Sequence, residues 1–115
     1  NHDARRLPFS SAHFDISLCK NVLHHMDGYE SVRRLVAETI RVAKVAVVVE
    51  VMDPQFESAW GRLRHRYYLD FLHDAGRHFL KREEFAKLTE LPGLHKRFEL
   101  RTIRGVYQFA IFKNG

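Results

Sequence analysis

Two adjacent histidines, His24 and His25, are the most chemically versatile residues in this sequence. Imidazole titrates near neutral pH, so such a ring can serve as a general base or as a metal ligand. A zinc site needs side chains that converge on one point, and the sequence contains neither Cys-x-x-Cys nor His-Glu-x-x-His. Adjacent side chains also generally point apart. We therefore expect no metal site and assign no catalytic residue, while a general-base role for His25 stays open.

Polar residues also stand at the ends of two predicted strands. Lys20 and Asn21 follow the apolar segment 14–19, and Glu50 lies near the end of the β-branched run 45–51. Ligands of open α/β sheets bind at the carboxyl ends of the strands, which makes Lys20 and Asn21 binding candidates. A plain polar turn explains Lys20 and Asn21 equally well. For Glu50 we expect a solvated carboxylate at the end of the strand.

The elements that would position these residues follow from hydrophobic periodicity. A helix is predicted over 29–44, opened by a capping box between Asp27 and Glu30. A second helix carries an apolar stripe that we assign to the core, and a short third helix spans 81–91. Segments 98–103 and 106–112 predict a hairpin, with its second strand inside the sheet and its first at the edge. The stripe comprises Phe56, Trp60, Leu63, Tyr67 and Phe71.

The order of several short motifs resembles that of the class I S-adenosylmethionine-dependent methyltransferases. The matching motifs are Asp3-Ala4, Leu7-Pro8-Phe9, Phe14-Asp15, Val22-Leu23-His24-His25 and Glu38 with Arg41-Val42. The resemblance is densest over residues 3–53. It implies the back half of a Rossmann-like α/β sheet: two parallel strands, a C-terminal antiparallel hairpin and flanking helices. Residues 1–115 would then be the C-terminal portion of one methyltransferase domain.

The resemblance also implies roles for individual residues. Asp3 would accept a hydrogen bond from the adenine amino group of S-adenosyl-L-methionine, and the backbone at Ala4 would face a ring nitrogen. Lys20 and Asn21 would lie beside the methionine end of this cofactor. One histidine would pack in the loop, while His25, Glu50 and Tyr68 would lie on the side of the methyl acceptor. Glu38 and Arg41 would form a structural pair on the helix.

Two departures from the family pattern stand out. The six glycines are scattered and none forms Gly-x-Gly, so the family's glycine-rich cofactor loop is not found in this sequence. Residues 43–46, Ala-Lys-Val-Ala, replace the usual Lys-Pro-Gly-Gly turn, which requires a tighter connection or an earlier helix end. Without the loop we expect the 115 residues to bind the cofactor weakly or not at all.

Composition narrows the functional classes. The chain is 45% hydrophobic, enough for the core of one domain, and no apolar run approaches the roughly 20 residues of a membrane helix. The chain has a net charge of +5, and its basic residues cluster at 62–68, 81–82 and 96–97. We interpret these clusters as solvated helix faces rather than a nucleic-acid surface. Cys19 is the single cysteine, which fits a reducing compartment, so we expect a cytoplasmic protein.

Three hypotheses follow. The first is a methyltransferase acting on a small molecule. The alternative is a binding or assembly module that keeps half of the fold and associates through an uncovered sheet edge near Ile16 and Leu18. A third is a nucleic-acid-binding domain that uses residues 62–68.

Overall fold

A computed structural model describes residues 3–51, 59–60, 62–63, 66–67, 80–102 and 105–114. Its elements, in chain order, are β1 (Phe14–Lys20), a 3₁₀ turn (Leu23–His25), α1 (Tyr29–Arg41), β2 (Ala43–Val51), α2 (Arg82–Leu88), β3 (Leu94–Thr102) and β4 (Gly105–Lys113). Residues 59–60, 62–63 and 66–67 are also helical.

The four strands form one sheet in the order β1-β2-β4-β3. β1 and β2 are parallel, with Ile16 opposite Val45. β4 lies between β2 and β3 and runs antiparallel to both, with Val48 opposite Ala110. The α/β architecture predicted from the sequence is therefore confirmed, including the hairpin with its first strand at the edge. β2 can occupy an interior position because Val45–Val51 is apolar on both faces apart from Glu50.

α1 presents an apolar face to the sheet, and this face is buried at Val32, Leu35, Val36, Thr39 and Ile40. Two details of the predicted helix are wrong. The N-cap is Gly28 with no side-chain cap, so the capping box does not form. The helix ends at Arg41 because the backbone beyond it joins the sheet: Phe14 N–H donates to Val42 O, and Ala43 already belongs to β2.

The core lies between α1, α2 and one face of the sheet. Phe85 and Leu88 of α2 pack there with Phe112 of β4 and Val48 of β2, all 1% exposed or less. Ser17 marks the same face of β1, because its hydroxyl donates to Thr39 O in α1. Since side chains alternate along a strand, Ile16 and Leu18 point to the opposite face, and they are 68% and 64% exposed.

The stripe assigned to the core is exposed where the structure describes it. Trp60, Leu63 and Tyr67 are 65%, 58% and 55% exposed, so the prediction that they are core residues is wrong. Helical spacing establishes that side chains share a face, but not what covers that face. Phe56 and Phe71 lie outside the described residues.

Candidate functional site

The carboxyl ends of β1 and β2 bring the predicted polar residues into one region. Asn21 directly follows β1 and has a positive φ of 53°, a conformation that asparagine tolerates better than most residues. Its N–H donates to Val49 O at 2.9 Å, which ties the end of β1 to β2. Lys20, one residue earlier, is exposed. The Asn21 Oδ1 atom is buried, and no donor in the described part of the chain reaches it.

Glu50 is fully buried at this end of β2, so the expectation of a solvated carboxylate is wrong. One oxygen accepts Leu23 N–H at 2.8 Å. The other lies 2.6 Å from His24 Nδ1 and accepts Val51 N–H at 2.9 Å. The 3₁₀ turn that follows β1 therefore covers the end of β2. A glutamate within an otherwise apolar strand was the available signal, because a buried carboxylate requires partners.

The two histidines have different environments. His24 is 1% exposed and packs inside the turn against Glu50, whereas His25 is exposed. Their ring centroids are 4.2 Å apart, with the ring planes inclined by 38°. His24 therefore lies between the buried carboxylate and the exposed ring of His25.

His25 lines a depression of about 190 Å³ beside the turn. The depression also brings in Asp3 and Ala4 from the N-terminal loop, so it joins three residues that the sequence singled out. Lys20, Asn21 and Glu50 are not among its lining residues, and Tyr68 lies outside the described part of the chain. Sequence reasoning missed the remaining lining residues, which are Arg5, Met26, Asp27 and Leu35.

Arg5 holds the Asp3 carboxylate through both its backbone and its side chain. Its backbone N–H and Nε donate to Asp3 Oδ1 at 2.9 and 3.0 Å, and a terminal nitrogen donates to Oδ2 at 2.9 Å. The side-chain hydrogen bond to Arg5 lowers the pKa of Asp3 to about 2, so this carboxylate is ionised at neutral pH. Each carboxylate oxygen can accept more than one hydrogen bond, and Asp3 keeps capacity for a further donor.

The loop that carries Asp3 and Ala4 is anchored to α1. Leu7 N–H donates to Glu38 Oε1 at 2.8 Å, and Arg41 donates to Leu7 O at 3.2 Å. Arg41 also binds Glu38 with two hydrogen bonds of 2.7 and 2.6 Å, and this contact lowers the pKa of Glu38. The predicted Glu38–Arg41 pair is thus confirmed. Sequence spacing did not reveal its additional role, which is to hold the loop at Leu7.

Three other features of the structure do not contribute to a binding site. A larger cavity of about 480 Å³ opens near the start of β2, lined in part by Ile40, Leu91 and Lys113. It lies at the end of the parallel strands opposite to the one where α/β proteins bind ligands. Burial raises the pKa of the Cys19 thiol to about 12, so this cysteine is not a nucleophile at neutral pH. Among the described residues, no group of three or more His, Cys, Asp or Glu could hold a metal ion.

Comparison with known families gives one match to the sequence. Residues 1–51 match the family model described as a methyltransferase domain. This region contains β1, the 3₁₀ turn, α1 and β2, and therefore the whole depression and the buried Glu50. No curated protein matches the chain.

Solved structures extend the similarity to nearly the full chain. An S-adenosylmethionine-dependent methyltransferase from Methanosarcina mazei is 18% identical with a TM-score of 0.65, over 97% of this chain and 64% of that one. A methyltransferase from Thermotoga maritima, described as a possible histamine N-methyltransferase, is also 18% identical with a TM-score of 0.65, over 97% and 61% of the two chains. Magnesium protoporphyrin IX methyltransferase from Synechocystis, solved with bound S-adenosylhomocysteine, is 10% identical with a TM-score of 0.61, over 99% and 49%.

The architecture is thus that of a partial Rossmann-like methyltransferase fold, and the match to the methyltransferase-domain model covers its first part, residues 1–51. The chain spans less than two thirds of the length of these neighbours. No helix in the described residues is long and apolar enough to cross a membrane.

Proposed function

We propose that this chain is the C-terminal portion of one methyltransferase domain, which transfers a methyl group from S-adenosyl-L-methionine to a small molecule in the cytoplasm. The depression beside the 3₁₀ turn that follows β1, which joins Asp3, Ala4 and His25, carries the proposal. The methyltransferase-domain match over residues 1–51 adds support, because it covers all of these residues.

The hydrogen-bonding groups of these residues fit part of such a cofactor. Asp3 is ionised and offers an acceptor to the amino group of adenine, beside the backbone at Ala4. Asn21 Oδ1 is a buried acceptor that no described donor satisfies, as expected of an atom that pairs with an N–H group of a ligand. We assign Lys20 and Asn21 to the methionine end. When bound, the cofactor supplies an electrophilic methyl group on a positively charged sulfur.

The depression is too small for the whole cofactor. Ligand pockets have volumes of roughly 300–1,000 Å³, and this depression measures about 190 Å³. We therefore infer that the depression holds only the adenine end, that Lys20 and Asn21 contact the methionine end outside it, and that the remaining contacts come from a glycine-rich segment outside this sequence. This is why weak or no binding is expected of the 115 residues alone.

We assign His25 to the part of the site that faces the methyl acceptor. Glu50 would act there indirectly, from its buried position, and Tyr68 is a further candidate. Methyl transfer from a sulfonium needs little acid–base help when the reacting atoms are aligned, so these residues would orient the acceptor. No catalytic residue is assigned. The nature of the accepting atom is left open.

Isothermal titration calorimetry with S-adenosyl-L-methionine tests the proposal. We expect weak or no binding to the 115 residues and clear binding to a protein extended upstream of Asn1. In the extended protein, Asp3→Ala should reduce affinity roughly tenfold to a hundredfold, because one charge-assisted hydrogen bond is lost. Asp15→Ala is the matched control, since Asp15 is an exposed aspartate paired with Lys44 and does not line the depression. Tight binding by the isolated chain, or equal affinities for both variants, would refute these assignments.

One observation favours the second candidate function, an assembly module. β1 is an edge strand of the described sheet, and Ile16 and Leu18 are exposed beside that edge. An exposed edge with apolar neighbours is suited to pairing with another chain. An extended protein that associates through β1 and gives no heat with the cofactor would favour this function over the enzyme.

A further inference from the structure

The buried contact between Glu50 and His24 determines which ring nitrogen of His24 carries the proton. Glu50 uses both oxygens as acceptors for backbone N–H groups, those of Leu23 and Val51. A carboxylate in this role has no hydrogen to give, so His24 Nδ1, at 2.6 Å, is the donor in their contact. The hydrogen-bond network therefore places the proton of a neutral His24 on Nδ1 and leaves Nε2 without one.

A buried pair of this kind contributes little to stability compared with apolar residues of similar volume, because desolvation offsets the attraction between its members. Its effect is on orientation. The His24 ring is held at one nitrogen by Glu50 and stands 4.2 Å from the His25 ring, which lines the depression. Glu50 is 0% and His24 1% exposed, so in this arrangement neither would contact a substrate directly.

We infer that Glu50 and His24 are positioning residues for His25: Glu50 fixes the tautomer of His24, and the His24 ring fixes the orientation of His25 at the depression. That an oriented His25 would position a methyl acceptor rests on the proposed function, whereas the arrangement of Glu50, His24 and His25 does not. This distinction determines the choice of experiment.

Long-range ¹H–¹⁵N NMR of the imidazole rings in the 115-residue chain tests the first step. We expect the Nδ1–H tautomer of His24 in the unmodified chain. Glu50→Leu removes the acceptor of the Nδ1 proton, so the Nε2–H form should gain population. An Nε2–H tautomer in the unmodified chain, or an unchanged tautomer in a folded Glu50→Leu variant, would overturn the inference.

Two variants of His24 test the second step. His24→Asn keeps a nitrogen near the place of Nδ1, so it can still donate to Glu50, but it removes the ring. His24→Phe keeps a ring and removes the donor. The three-bond Hα–Hβ couplings of His25 report its χ1 angle independently of ring currents, and they should change in His24→Asn and stay the same in His24→Phe. His13→Asn is the control, since His13 packs against Phe9 and Phe14, and it should leave His25 unchanged.

Far-UV circular dichroism verifies that each variant is folded. Unchanged Hα–Hβ couplings of His25 in a folded His24→Asn chain would refute the positioning role. Neither NMR experiment uses the cofactor, so failure of the proposed function in calorimetry leaves this inference standing. Its own failure likewise leaves the proposed function standing.

Discussion

Replacing Glu50 by leucine should destabilise the chain strongly, although leucine is apolar and similar in size. The carboxylate accepts hydrogen bonds from Leu23 N–H and His24 Nδ1, and both partner residues are 1% exposed or less. Leucine accepts none. A buried donor without a partner costs about 1–3 kcal/mol, so two such donors cost about 2–6 kcal/mol.

The expected loss in the free energy of unfolding is therefore about 3 kcal/mol. Urea unfolding followed by circular dichroism measures it. With a slope of about 1–3 kcal/mol per molar urea, the midpoint should fall by about 1–3 M. Trp60 fluorescence is less suitable, because this side chain is already 65% exposed in the folded chain.

Asp15→Asn is the matched control. Asp15 binds Lys44 at 2.7 Å, nearly the distance of the Glu50–His24 contact, but both side chains are exposed. Exposed ion pairs contribute little, so the midpoint should not move measurably. A shift in Glu50→Leu as small as that of the control would refute the reasoning, since it would mean that the buried donors find other partners.

Three further outcomes are expected. Arg41 lowers the pKa of Glu38 in the folded chain. The pair therefore stabilises the fold above the unfolded pKa near 4.5, and this contribution is lost as the pH falls through the folded pKa. In Arg41→Leu, acid unfolding curves should lose that part of their pH dependence. Gly93→Ala should lower the urea midpoint by about 1 M or more, because Gly93 has a φ of 97° and an added Cβ would lie 2.7 Å from Lys113 O; an unchanged midpoint would contradict this. The 115 residues should self-associate in light scattering and Ile16→Lys should reduce this, whereas a stable monomer at high concentration would exclude association through the β1 edge.

The strands were predictable because their signal is local. The β-branched run 45–51 forms an interior strand in almost any α/β context, and the alternation over 98–103 fits an edge strand. The end of α1 was not predictable in the same way. Ala43 continues the helical spacing of Val36 and Thr39, but it lies in β2 and is buried there. Hydrogen bonding to β1 outweighs helical periodicity at this position.

The environment of Glu50 depends on residues that are distant in sequence. Its partners, Leu23 and His24, lie in the turn after β1, and no local pattern around Glu50 indicates that this turn covers it. The loop anchor at Leu7 is likewise formed with a residue on α1. Motif order assigned Asp3 and Ala4 to the cofactor and His25 to the side of the methyl acceptor, and it did not indicate that all three line one depression.

The position of β4 has a consequence for how the chain folds. β2 is an interior strand, yet one of its two neighbours is made of residues 105–113, so Val45 must find Lys113 across most of the sequence. While a ribosome is still synthesising the middle of the chain, the apolar β2 has β1 on one side and no partner on the other. Pairings between such distant segments form slowly and leave apolar strands exposed in the meantime. We therefore expect the nascent chain to need chaperone protection until β4 has emerged.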